Sequence, residues 1–202
     1  KKEEKTNVAP CMDVPFSSVC DQLTVAMHNV TYRTDILQKN NIHLDNCFYT
    51  DAEYLLYPIP YVKTVTVAPQ TIYMYRVSLS TQSMNINSLQ RNCAMHELVL
   101  GHLSDAYAAY ENSGTSEPKI AAFLRRNIAR IAGMQLFIYL TATDSKAAKQ
   151  SAKAMVKTIK GKSETLYTEL NGAKSFKMLT STNFLLFPVL ASMKKREVGA
   201  ND

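Results

Sequence analysis

No stretch of this 202-residue chain approaches the roughly 18–20 consecutive apolar residues that a membrane-spanning helix needs, and no signal peptide is visible. There is no P-loop, no other glycine-rich phosphate cradle and no Asp-x-Asp pair. The usual sequence elements that hold a nucleotide diphosphate are therefore missing. The four cysteines, Cys11, Cys20, Cys47 and Cys93, form no CxxC pair and have no histidine at zinc spacing. That pattern predicts reduced, mostly buried thiols in a cytoplasmic protein. Internal repeats and low-complexity tracts are absent as well.

What is present fits a folded globular chain, one ordinary domain or two small ones: 46% hydrophobic and 20% charged residues rule out intrinsic disorder. The formal net charge of +6 predicts an anionic partner without choosing among them. The opening, Lys1 followed by a charged KKEEK run, predicts that the chain begins inside a longer protein.

The pattern divides near residue 85. Residues 1–84 read as mixed α/β. Ser17 to Leu23 is a short helix, Leu23 to Met27 an extended segment, and Thr34 to Asn40 a helix with its cap at Thr34 or Asp35. Thr64 to Val67 and Ile72 to Val77 are rich in β-branched and aromatic residues and predict a hairpin or adjacent strands. Residues 85–202 read as a helical subdomain. Leu89, Cys93, His96, Leu100, Leu103, Tyr107 and Tyr110 alternate spacings of four and three, one face of a long helix. Asn87 and Gln90 resemble a capping box. Pro118 sits where a first helical turn tolerates it, Ile120 to Tyr139 forms a second helix, and Asp144 opens a third that runs to about Leu170.

The candidate chemistry centres on residues 47–62, CFYTDAEYLLYPIPYV. Aromatic, strand-like Phe48-Tyr49 leads into a helical run that Pro58 and Pro60 end. Asp51 at that junction reads in two ways, as the helix N-cap or as a positioned general base. Glu53 lies two residues on. In a helix the pair points about 200° apart, which argues against a shared metal. His96, Glu97 and His102, with Cys93 close by, invite a metal reading that fails on spacing, since helical zinc ligands fall at i and i+4. Lys146, Lys149, Lys153, Lys157, Lys160, Lys162, Lys174 and Lys177 stand against only Asp144, Glu164 and Glu169. They read as a solvated face or, functionally, as a contact for an anionic membrane surface; nucleic acid is disfavoured because no stacking aromatics interleave. Apolar Asn183 to Met193, followed by Lys194-Lys195-Arg196, either packs on the bundle or lies at an interface.

Three stretches in order resemble the C-terminal half of bacterial family 2 glycosyltransferases that build surface polysaccharides: Met27 to Asp45, Phe48 to Val65 and Ile72 to Asn85. The resemblance covers about residues 20–110. It implies an α/β plus α fold, the C-terminal part of a GT-A-like domain followed by a helical bundle. It also implies an inverting transfer from a nucleotide sugar to a saccharide or lipid-linked acceptor. Asp51 would then be the catalytic base and Glu53 a supporting acid. Asn29, Tyr32 and Arg33 would line the acceptor cleft, and Arg76, Gln82 and Ser83 would belong to a loop over the donor. Thr50, Val30, Ser78 and Thr81 depart from the family pattern. The family's nucleotide-binding half, with its Mn²⁺ or Mg²⁺, has no counterpart here. The resemblance thus implies a fragment that holds no cofactor or metal of its own and is inactive alone. The rival reading is a non-catalytic helical interaction or membrane-surface module.

Overall fold

The computed structural model describes residues 8–70, 73–74 and 85–199. Among these the chain is helical: ten α-helices account for most of the 65% helix content, beside one two-stranded sheet. This overturns the α/β expectation for residues 1–84. A GT-A-like domain requires a multi-stranded sheet with helices on its faces, and the described residues carry no such sheet.

Strand β1 (Cys11–Pro15) pairs antiparallel with β2 (Thr64–Val67), Val14 opposite Val65 and Pro15 opposite Thr64. Asp13 interrupts the register with φ +50°. The expected partner of β2, Ile72 to Val77, lies outside the described residues apart from Tyr73 and Met74, which are not in a strand. β1 was not expected, because its Asp and Pro carry little strand signal. Its partner supplies the pairing, with the Phe16 amide donating to the Lys63 carbonyl at 2.9 Å just beyond the strand.

Helix α1 (Phe16–Val19) is shorter than the Ser17 to Leu23 span predicted. α2 (Thr34–Lys39) and α3 (Asp51–Leu56) agree with their expected positions, and a 3-10 turn at Ile59–Tyr61 follows α3 where the prolines stop it. The long helix expected after residue 85 is two, α4 (Ile86–Arg91) and α5 (Cys93–Glu111), broken at Asn92. Asn85 caps α4 by accepting from the Asn87 amide, so the expected capping box at Asn87 and Gln90 does not form. The Gln90 side chain instead donates to the Ile138 carbonyl and the Thr141 hydroxyl, at 2.7 and 2.8 Å.

Gly114, at φ +73°, makes the turn from α5 into α6 (Pro118–Thr141), a conformation that glycine adopts without strain. Pro118 takes the tolerated first-turn position. The expected third helix is also divided. α7 (Ser145–Lys162) is capped by Asp144, and α8 (Glu164–Asn171) by Ser163, whose extended backbone and side-chain bond to the Leu166 amide restart the helix. α9 (Lys174–Ser181) and α10 (Phe187–Gly199) complete the chain. Two left-handed residues, Asn183 and Phe184, turn one helix into the other.

Helix α6 is the centre of the architecture: α4, α5, α7, α8, α10 and the Ile59–Tyr61 turn all pack on it. Its residues Phe123, Ile128, Ala132, Leu136 and Ile138 are essentially without solvent contact. The hydrophobic core continues into the first part of the chain through Phe16, Cys20, Leu56 and Ile59. A polar knot fastens the α5 end to the α7–α8 joint. Glu111 accepts from Ser163 (2.7 Å), Tyr107 (3.1 Å) and Thr165, and Arg125 donates to the Tyr107 oxygen at 3.0 Å. Burial pushes the Glu111 carboxyl up, but those hydrogen bonds outweigh it and hold its pKa below the usual value.

Asn183 to Met193 packs on the bundle with one side only. Phe184, Phe187, Leu190 and Ala191 are buried, while Leu185, Leu186, Val189 and Met193 face outward. The structure therefore predicts unequal costs along this region. Leu179→Ala, at a site with 0% exposure, will cost about 2–5 kcal/mol. Leu185→Ala, at 74% exposure, will stay within about 0.5 kcal/mol. Urea denaturation of the two variants measures the difference.

Candidate functional site

The loop 45–50 and the start of α3 lie against α5, and two polar clusters form along that contact. Phe48-Tyr49 is not a strand. It is a turn, with Tyr49 at φ +72°, a conformation that costs a bulky side chain on the order of 1–3 kcal/mol. The strand-to-helix junction expected at Asp51 is thus a turn-to-helix junction. Thr50, not Asp51, occupies the N-cap position and makes no side-chain cap bond.

Asp51 and Glu53 diverge as the helical period requires. Asp51 is exposed, and its carboxylate makes no hydrogen bond or ion pair among the described residues. Glu53 is fully buried. Glu53 Oε2 accepts from the Asp45 amide at 2.9 Å and Oε1 from the Tyr57 hydroxyl at 2.9 Å. Across the gap from α5, His102 Nδ1 lies 2.7 Å from Asp45 Oδ2 and 3.7 Å from Glu53 Oε1. One ligand-type atom from each of Asp45, Glu53 and His102 falls within 4.8 Å of the others. Burial and the Glu53 carboxylate push the Tyr57 phenol far above its usual range, so it stays a donor. Burial, then the charges of Asp45 and Glu53, also raise the nearby Cys47 thiol.

The second cluster sits nearly two turns earlier on α5. His96 is buried, its Nδ1 2.7 Å from Gln135 Oε1, and the Tyr49 ring meets its edge at a centroid distance of 5.0 Å. The Gln135 amide donates to Cys93 Sγ at 3.3 Å. Burial holds His96 below its ordinary pKa, opposed by Gln135 and by the Asp51 charge. The Tyr139 hydroxyl is buried without a hydrogen-bond partner; burial and the Glu97 carboxylate, near it but out of bonding geometry, drive its ionisation far upward.

His96 and His102 therefore serve different clusters, as their spacing implied. What sequence reasoning missed is Asp45, which no motif distinguishes, and the approach of His102 to it across 57 residues.

The remaining candidates are largely committed to local structure. The Asn29 side chain accepts from the Ala26 amide and donates to the Thr24 carbonyl, closing its own turn. Tyr32 packs edge-on against Tyr54 and donates to the Leu55 carbonyl at 2.7 Å; burial raises its pKa. Arg33 is exposed and pairs with Asp35. Arg76, Gln82 and Ser83 lie outside the described residues. No described helix is long and apolar enough to cross a membrane.

No protein-family profile, curated protein or solved structure matches this chain.

The buried histidine gives a pH dependence with a definite sign. An unfolded His96 takes up a proton as pH falls through about 6.5, whereas the folded one resists. Its contribution is complete above that pH and is lost as pH falls through the folded pKa. Thermal unfolding measured from pH 7.5 to 5 will show wild-type stability falling, and His96→Gln will have the shallower slope.

Proposed function

We propose that this chain contributes the acceptor side of an inverting sugar transferase, with Asp51 as the general base that takes the proton from the attacking hydroxyl. The observation that supports this reading is the contrast between two neighbouring acids. Glu53 is sealed and hydrogen-bonded through each of its oxygens, while Asp51 is exposed, makes no hydrogen bond or ion pair among the described residues, and is held just after a strained turn. A base must reach its proton directly and be free to accept it, and strain of this kind is retained where the backbone aims a working group. The ordered resemblance of residues 27–45, 48–65 and 72–85 to family 2 glycosyltransferases supports the same assignment. Glu53 is then a positioning residue: it orders the loop that carries Asp51 and does not share the chemistry. The donor's diphosphate and its metal would be held by a separate nucleotide-binding domain, because no phosphate-binding motif occurs in this sequence. The reading puts the reaction on the cytoplasmic side of a membrane.

The test is release of nucleoside diphosphate from a panel of nucleotide sugars, using the chain joined to the domain that binds the donor. Asp51→Asn will lower kcat by roughly 10²–10⁴-fold, the usual worth of a general base, with an unchanged far-UV spectrum. Unaltered turnover in Asp51→Asn, or no release from any donor, removes the reading.

One observation favours a second function, docking to an anionic membrane surface. Lys146, Lys149, Lys153, Lys157 and Lys160 fall on one stripe of α7. The Lys153 ammonium stands 5.9 Å over the Phe184 ring, at the edge of the outward-facing Leu185, Leu186, Val189 and Met193. Cationic and apolar groups on one face suit a bilayer boundary, at roughly 1 kcal/mol per lysine near anionic lipid. Lys162 lies on another side of α7, where it bonds to Asp105 and the Gly101 carbonyl. Co-sedimentation with phosphatidylserine vesicles will exceed that with phosphatidylcholine and fall when Lys149 and Lys153 are changed to Glu. Equal sedimentation with both lipids overturns it.

A further inference from the structure

We propose that Asp45, Glu53 and His102 form a binding site for one divalent transition-metal ion of the zinc or manganese type. The first argument is charge. Glu53 has 0% exposure, Asp45 is half-buried beside it, and among the described residues neither is paired with a lysine or arginine. Buried carboxylates are normally paired with a cation or coordinate one. A divalent ion with neutral imidazole balances both acids.

The second argument is geometry. A four-coordinate ion with ligands at about 2.0–2.1 Å needs its donors roughly 3.3 Å apart. The Asp45–His102 and His102–Glu53 separations of 2.7 and 3.7 Å bracket that value, and all three donors lie within 4.8 Å of one another. His102 Nδ1 then turns from hydrogen-bond donor to ligand, the neutral ring carrying its proton on Nε2.

The third argument is orientation. Metal-binding carboxylates are usually held by hydrogen bonds of their own. The Asp45 amide and the Tyr57 hydroxyl take one lone pair on each Glu53 oxygen, leaving Oε1 a free lone pair near His102. One imidazole with two carboxylates favours zinc or manganese over magnesium or calcium, which prefer all-oxygen sites. Three protein ligands leave a position for water or a ligand, and half-exposed His102 (42%) opens that side to solvent.

The site does not rest on the sugar-transfer reading. Its ligands exclude Asp51, so Asp51→Asn will leave ion binding intact even where it stops transfer. The experiment is calorimetric titration of chelator-stripped protein with ZnCl₂ and with MnCl₂. Wild type will bind one equivalent of at least one ion and gain thermal stability with it. His102→Ala and Asp45→Asn, both at partly exposed positions that spare the buried Glu53, will each weaken binding about 10–100-fold; His43→Ala, at an exposed histidine elsewhere, will not. Cobalt(II) in place of zinc will give a visible absorption band that His102→Ala loses. Wild type that takes up neither zinc nor manganese overturns the proposal, as does His102→Ala that binds like wild type.

Discussion

Burial of helix α6 on nearly every side is the constraint from which the rest of the molecule follows. A helix with an apolar stripe needs one neighbour, whereas α6 is covered by α5, α7, α8 and α10 and by the turn after α3. Ala132 on α6 and Ala148 and Ala152 on α7 are nearly without solvent contact. Three polar side chains on α6 tie neighbouring elements to it, while the Tyr139 hydroxyl stays buried without a hydrogen-bond partner. Gln135 reaches His96, Arg125 the Tyr107 hydroxyl, and Arg126 the Cys20 carbonyl. These bonds orient α5 and the first part of the chain on a core that hydrophobic burial alone would leave free to slide.

Because α5 is fixed by α6, it becomes the wall on which the loop 45–50 is built. That loop has no regular backbone ladder to hold it. Its order comes from Glu53, which anchors the Asp45 amide and the Tyr57 hydroxyl, from the His102 contact and from the Tyr49 ring against His96. Such a polar scaffold is exacting: each buried group must find its partner, since an unmet one costs on the order of 1–3 kcal/mol. The outcome is an exposed Asp51 on a well-held backbone, with the Asp45, Glu53 and His102 cluster on another side of the same helix.

Much of the helical organisation was legible from the sequence. The four-three spacing from Leu89 to Tyr107 marks a buried face, Pro118 a helix start, and Asp144 a cap. The places where reading failed were breaks inside continuous patterns. Asn92 divides α4 from α5 and Ser163 divides α7 from α8, yet hydrophobic spacing passes over both without interruption. The α/β expectation failed because the described residues carry only one two-stranded sheet. Thr64 to Val67 is a strand as expected, but its partner is the unremarkable segment Cys11 to Pro15.

The candidate site divides along the same line. The 3.6-residue period alone places Asp51 and Glu53 on opposite sides of α3, and the six-residue gap alone separates His96 from His102. Which of the two acids would be buried, and that Asp45 and His102 would meet beside it, was decided by tertiary structure. Helix periodicity and capping arise from bonds between residues three or four apart and are written locally. A contact between residues 45 and 102 exists only after α3 and α5 have packed, and neither residue carries a mark of it beforehand.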